Sequence, residues 1–166
     1  MTFFAEIETL LYDVSRVFLA PVMLLIAAAL AYALAMLGAF LVEAWQRRRG
    51  LRTPALSAYA AGTPDGPPPA SDDLELWIMK RLEWLRIVSR TAPMLGLIAT
   101  MIPMGPALLA LGTGDGAAVG RNMVAAFSAV ILALLAASIC FFILTIRRRW
   151  LLQDLRRIER QRQGAA

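Results

Sequence analysis

The chain has 166 residues, 59% of them hydrophobic, with a mean hydropathy of +0.62 and a formal net charge of +5. Soluble domains carry about 45–50% apolar residues; here the excess falls into three long uncharged blocks, which excludes an ordinary soluble domain. The basic residues flank those blocks and are not interleaved with aromatics on a polar face, so no nucleic-acid partner is expected.

Residues 1–16 read as an outer amphipathic helix. Phe3, Ile7, Leu10, Leu11 and Val14 recur at helical spacing with Glu6, Glu8 and Asp13 between them, a pattern suited to lying at a membrane surface. Residues 17–45 hold the first span, uncharged from Val17 to Val42. Acids precede it where a signal peptide carries bases, and it is too long for a signal-peptide core, so a retained anchor is expected. Its Ala27, Ala31, Ala35 and Ala39 form a small-residue ridge that would let another helix approach closely.

Residues 46–70 form a cytoplasmic segment. Five prolines fall within 53–70, three of them consecutive at Pro67, Pro68 and Pro69, so a flexible or extended linker is expected. Residues 71–111 read as one helix that starts outside the membrane and runs into the second span. Ser71, followed by Asp72, Asp73 and Glu75, has the form of an N-cap with acids favouring the helix start. Leu74, Trp77, Ile78, Leu82, Leu85 and Val88 then make one apolar stripe.

Residues 112–121, with Gly112, Gly114, Gly116 and Gly120, read as a short turn that forces an antiparallel hairpin. Residues 122–146 are the third span, where Ala125, Ala129, Ala133 and Ala137 repeat the small-residue ridge. Residues 147–166 continue as a basic helix and tail, in which Asp154 and Glu159 are spaced for weak ion pairs with nearby arginines.

Each block is long enough for a helix to cross about 30 Å of hydrocarbon, and backbone in lipid must bond internally, so the fold class is an all-α membrane protein with helical cytoplasmic extensions. Arg47, Arg48, Arg49 and Arg52 follow block one, Lys80, Arg81, Arg86 and Arg90 precede block two, and Arg147, Arg148 and Arg149 follow block three. Only Arg16 and Arg121 lie at the opposite ends. The positive-inside rule therefore puts the N-terminus outside and the C-terminus in the cytoplasm, with Trp45 and Trp150 as headgroup anchors.

There is no histidine, and Cys140 is the only cysteine, inside an apolar block, so no metal site or intrachain disulfide is expected. No paired catalytic carboxylates, Ser–His pair or phosphate loop stand out; the glycines of 112–116 lack the Lys-Ser/Thr that a phosphate loop needs. Neither an enzyme nor a cofactor is expected. None of the three uncharged blocks contains Asp, Glu or His in its middle, so this chain cannot relay a proton across the bilayer on its own side chains. Either it moves nothing or a partner supplies the carboxylate.

In the second span, Ser89, Pro93, Gly96, Thr100, Pro103 and Ala107 share one narrow, weakly polar face, opposite Leu95, Met101, Ile102 and Leu109. Thr100 and Ser128 are the hydroxyls near the middle of the hairpin. Each either bonds back to its own helix carbonyl or lines a central pore.

The stretch LEWLRIVSRTAPMLGLIAT, from Leu82 to Thr100, resembles the second transmembrane helix of the ExbB/TolQ/MotA proton-channel family, through Thr91-Ala92-Pro93, Gly96-Leu97 and Thr100. The plan of three spans with an external N-terminus is closest to the ExbB/TolQ type; MotA-type members usually carry a fourth span. The resemblance implies a ring-shaped homopentamer in the cell inner membrane, with a periplasmic N-terminus. Its second and third helices would line a pore that holds single-span ExbD/TolR/MotB-like helices, each with one membrane Asp. It implies that Thr100 hydrogen-bonds that Asp or its water. The chain departs from the family pattern in three places: Val130 stands where a second pore threonine is expected, Ala125 where an intramembrane Glu is expected, and Pro103 where the family has glycine. Ser128 is a candidate displaced substitute. With Pro93 and Gly96, these residues make up the expected pore face. A non-conducting pentameric scaffold, or a subunit associated with a permease, is the alternative.

Overall fold

The computed structural model describes residues 2–50, 55–60 and 70–164. Every regular element among them is helical: α1 (Thr2–Arg48), α2 (Ala55–Ala60), α3 (Ser71–Gly112) and α4 (Gly116–Gly164). Three helices, Val17–Arg48, Ser71–Gly112 and Gly116–Gly164, are long and apolar enough to cross a membrane. At 1.5 Å per residue, α3 and α4 are about twice as long as the hydrocarbon is thick, so both continue well beyond it. Residues 2–16 are helical and run without a break into the first span.

The hairpin turn is tighter than the glycine pattern suggests, reduced to residues 113–115. Gly114 takes φ +77°. Its N–H donates to the Leu111 carbonyl, and the Asp115 N–H donates to the Ala110 carbonyl at 2.9 Å. This pair of bonds closes the end of α3 around a left-handed residue, a conformation that costs glycine little. Asp115 then starts α4: its Oδ1 accepts the Ala118 N–H at 3.0 Å, an N-cap that the sequence reading missed.

The chain packs as two compact units, residues 1–34 with 88–138 and residues 35–87 with 139–166. In the first, Val22 and Ile26 of α1 close on Ala99 of α3 and Ala129 and Ala133 of α4, with Met23 and Leu95 beside them. Ala129 and Ala133 pack as the ridge on α4 suggests. The ridge on α1 does not: Ala27, Ala31, Ala35 and Ala39 are exposed within the subunit, and among the described side chains of α1 the buried ones are Val22, Ile26, Ala33 and Phe40.

In the second unit Leu74, Ile78, Leu82 and Leu85 are buried as their periodicity requires. Part of the expected linker is also ordered here. Leu56 of α2 is fully buried, Tyr59 stacks on Trp77 at 5.6 Å, and Arg162 donates to the Ala60 carbonyl at 3.4 Å. The apolar run ALSAYA gains enough burial to hold a short helix between the prolines. The consecutive prolines lie outside the described residues.

Two further expectations are corrected in this unit. Ser71 is not the cap of α3: Ala70 supplies the first helical carbonyl, to Leu74 N–H, and the Ser71 hydroxyl donates to the Glu159 carboxylate of α4. Asp154 turns away from its neighbours on α4 and accepts from Arg47 of α1 at 3.1 Å. Beside it Arg147 donates to Glu43 at 2.7 Å, and Glu43 also lies 3.7 Å from Arg47.

These two cation–carboxylate pairs join α1 to α4 with little exposure to solvent. Replacing Glu43 by Gln removes the acceptor charge from Arg147 and is expected to destabilise the chain by about 1–3 kcal/mol. The check is the midpoint of thermal unfolding in detergent; Glu43→Asp, which keeps the charge facing Arg147 and Arg47, should lose less.

Candidate functional site

The face marked out in the second span is the face on which α3 packs within its own subunit. Pro93 and Thr100 are half-buried, and Gly96, Pro103 and Ala107 are buried; Ala92 and Ala99, one position to the side, are fully enclosed. Gly96 explains how close the helices come. A Cβ at that position would lie 3.1 Å from the Ala133 Cβ and 3.3 Å from Val130 Cγ2, inside ordinary contact distance. Close approach of this kind gives transmembrane helices their dispersion contact, since lipid supplies no hydrophobic drive between them.

Gly96 and Val130 are therefore brought together. The hydroxyls are not. Thr100 Oγ1 donates to the Leu97 carbonyl at 2.7 Å, and Ser128 Oγ donates to the Val124 carbonyl at 2.8 Å. Both protons are held by each residue's own helix, the back-bonding that hydroxyls adopt in apolar surroundings. Thr100 sits at the edge of the packed face, half open, whereas Ser128 and Ala125 are exposed on α4. On α3, Pro103 has no N–H to offer the Ala99 carbonyl.

A hydroxyl that has spent its proton on a backbone carbonyl still has lone pairs to accept with. Thr100 is thus an acceptor as it stands, and becomes a donor only by turning away from Leu97. Its neighbours carry no charge: Gly96, Ala99 and Pro103 are enclosed within the subunit, and Leu97, Met101 and Met104 are exposed beside it. They offer nothing that competes with that hydroxyl for an incoming polar group.

Three apolar helices and a tight α3–α4 hairpin define a multi-pass helical membrane protein. The model of the MotA/TolQ/ExbB proton channel family matches residues 71–162, more than half of the chain and nearly the whole of α3 and α4. The chain belongs to that family. No match was found among curated proteins or among solved structures.

Sequence reasoning missed the Glu43–Arg147 and Arg47–Asp154 pairs, because the arginines were read only as topology signals. The available clue was that Glu43 and Asp154 are acids set close to runs of arginine.

Gly96 supplies a test of the α3–α4 contact. Gly96→Ala needs the helices to give by a few tenths of an ångström and is expected to be tolerated, whereas Gly96→Val should cost about 1–3 kcal/mol through overpacking. Thermal unfolding of the two variants in the same detergent checks the order.

Proposed function

We propose that the chain is the channel or stator subunit of an inner-membrane motor, in which ion flow moves an ExbD/TolR-like partner and energises transport or envelope work. The observation that carries this reading is the family match over the α3–α4 hairpin, combined with uncharged blocks (17–42, 91–114 and 122–146) that contain no acid. A proton-conducting member without its own intramembrane carboxylate needs one from outside the chain.

In this reading the subunits form a homopentameric ring, with the N-terminus periplasmic and the C-terminus cytoplasmic. The single-span partner brings one Asp to the level of Thr100. Apolar walls disfavour the charged carboxylate and favour its protonated form. Protonated, the Asp donates to Thr100 Oγ1, which already gives its own proton to Leu97. Ionised, it needs a donor, and Thr100 must release Leu97 to provide one. Thr100 thereby distinguishes the two protonation states without carrying charge. One elementary charge crossing 100 mV releases about 2.3 kcal/mol, so a few protons suffice to shift a helix against a smooth wall.

The second reading, a non-conducting pentameric scaffold or permease-associated subunit, is favoured by Val130, which packs against Gly96, and by Ala125. Neither side chain offers a polar atom to a proton path.

The test co-expresses the chain with an ExbD/TolR-like single-span protein that carries a membrane Asp and replaces Thr100 by Val, which preserves shape and removes the hydroxyl. Proton-dependent activity is expected to fall about tenfold, equivalent to ~1.4 kcal/mol. Unchanged activity in Thr100→Val would remove Thr100 from the path, and the absence of proton flux in the wild type would leave the scaffold reading.

A further inference from the structure

At the arginine-bearing end of the spans, α1 and α4 leave an open groove of about 710 Å³. The stacked rings of Phe40 and Trp150, 5.4 Å apart, help line it. Leu41, Trp45, Phe142 and Ile146 also line it, and Leu41, Trp45 and Phe142 are each more than half exposed. The lining on α1 runs from Phe40 to Arg48, about 12 Å along the helix axis. One end is apolar and the other is cationic.

The charge at that end is not balanced. Arg47 is engaged by Asp154, approaches Glu43 and lies over the Trp150 ring at 4.8 Å. Arg147 is engaged by Glu43. Arg48 lines the groove, is exposed, and has no ion-pair partner among the described residues. Among the described residues Arg49 meets the face of Trp45, with its guanidinium carbon 3.8 Å from the ring centroid, an attraction worth little at an exposed site. Arg48 therefore remains for a ligand at the mouth of an apolar cleft, with Arg49 over the ring of Trp45, which itself lines the cleft.

We infer that this groove is a binding site for an anionic phospholipid of the leaflet that borders the basic ends. The acyl chain would lie along Leu41, Phe142 and Ile146, and the phosphate would take Arg48 and Arg49. Trp45 and Trp150 are placed where amphipathic rings meet headgroups. Charge complementarity selects this occupant: a neighbouring protein helix would have to bring its own acid to Arg48, whereas an anionic lipid carries it. The inference rests on membrane insertion of the spans and stands apart from ion conduction.

The test reconstitutes the full-length protein in phosphatidylcholine bilayers that contain a fixed fraction of acyl-brominated phosphatidylglycerol or acyl-brominated phosphatidylcholine. Quenching of tryptophan fluorescence is read, with Trp45→Phe isolating the groove signal. Brominated phosphatidylglycerol should associate about fivefold more strongly than its zwitterionic counterpart, the preference expected of one or two cations near a membrane surface. Arg48→Gln should bring the ratio toward one. Arg148→Gln removes the same charge from a separate depression lined by Glu75 and Arg86, and should leave the ratio unchanged. The proposal is overturned by equal quenching from the two lipids, by an equal loss in Arg148→Gln, or by quenching from neither lipid, which would show the groove covered by another subunit.

Discussion

Two transmembrane helices approach closely only where their side chains are small, and α3 meets α4 where Gly96 faces Val130 and Ala133. Lipid tails are as apolar as leucine, so burial alone does not hold such helices together; close dispersion contact does. The contact at Gly96 fixes which residues of α3 are enclosed, namely Ala92, Ala99, Pro103 and Ala107. By the same geometry it leaves Met94, Leu97, Ile98, Met101 and Leu108 facing outward. Thr100 lies between the two sets, half-buried. Its position at the rim of the hairpin follows from the packing of Gly96 one turn earlier.

The spans, the long helix from Ser71 and the identity of the family were legible in the sequence. They depend on the contrast between charged and apolar stretches and on a local motif. Which face of each helix is enclosed was legible only where that contrast persists. Outside the first unit, Leu74, Ile78, Leu82 and Leu85 stand among charged neighbours and were read correctly. Within the first span every residue is apolar, and periodicity carries no contrast from which to choose a face. The alanine ridge from Ala27 to Ala39 was as good a candidate as Val22, Ile26 and Ala33, yet the latter are the buried set. Long-range partners were illegible for another reason. Ser71 and Glu159 are 88 residues apart, and Arg47 and Asp154 are 107 apart; no local rule joins them. Asp115 could have been read as a cap from its place just before α4, but the glycines around it drew attention to the turn.

The arginines at the ends of the spans serve two physical purposes. Counted together they form the charge asymmetry by which orientation is read. Individually they differ. Arg47 and Arg147 are committed to Asp154 and Glu43 in places with little solvent, where breaking a pair leaves an uncompensated charge. Arg48 and Arg49 remain outside that network. A composition-level count treats these four residues as equivalent, and the structure separates them into cement and surface.

The same distinction bears on the middle of the membrane. A fixed carboxylate in each wall of a ring would attract donors and cations at set positions and resist the passage of a moving helix. In an apolar wall that cost is large, because low polarity strengthens every charge interaction. Thr100 and Ser128 carry no charge, and their protons are held by Leu97 and Val124, while Gly96 and Pro103 are enclosed within the subunit. In the proposed reading, a partner's carboxyl group passing Thr100 would exchange one weak hydrogen bond for another of similar strength, so few deep minima would oppose its motion. The energy of the step would, in that reading, come from protonation of the partner and from the potential across the membrane, and Ala125 and Val130, which offer no polar atom, would contribute nothing to it.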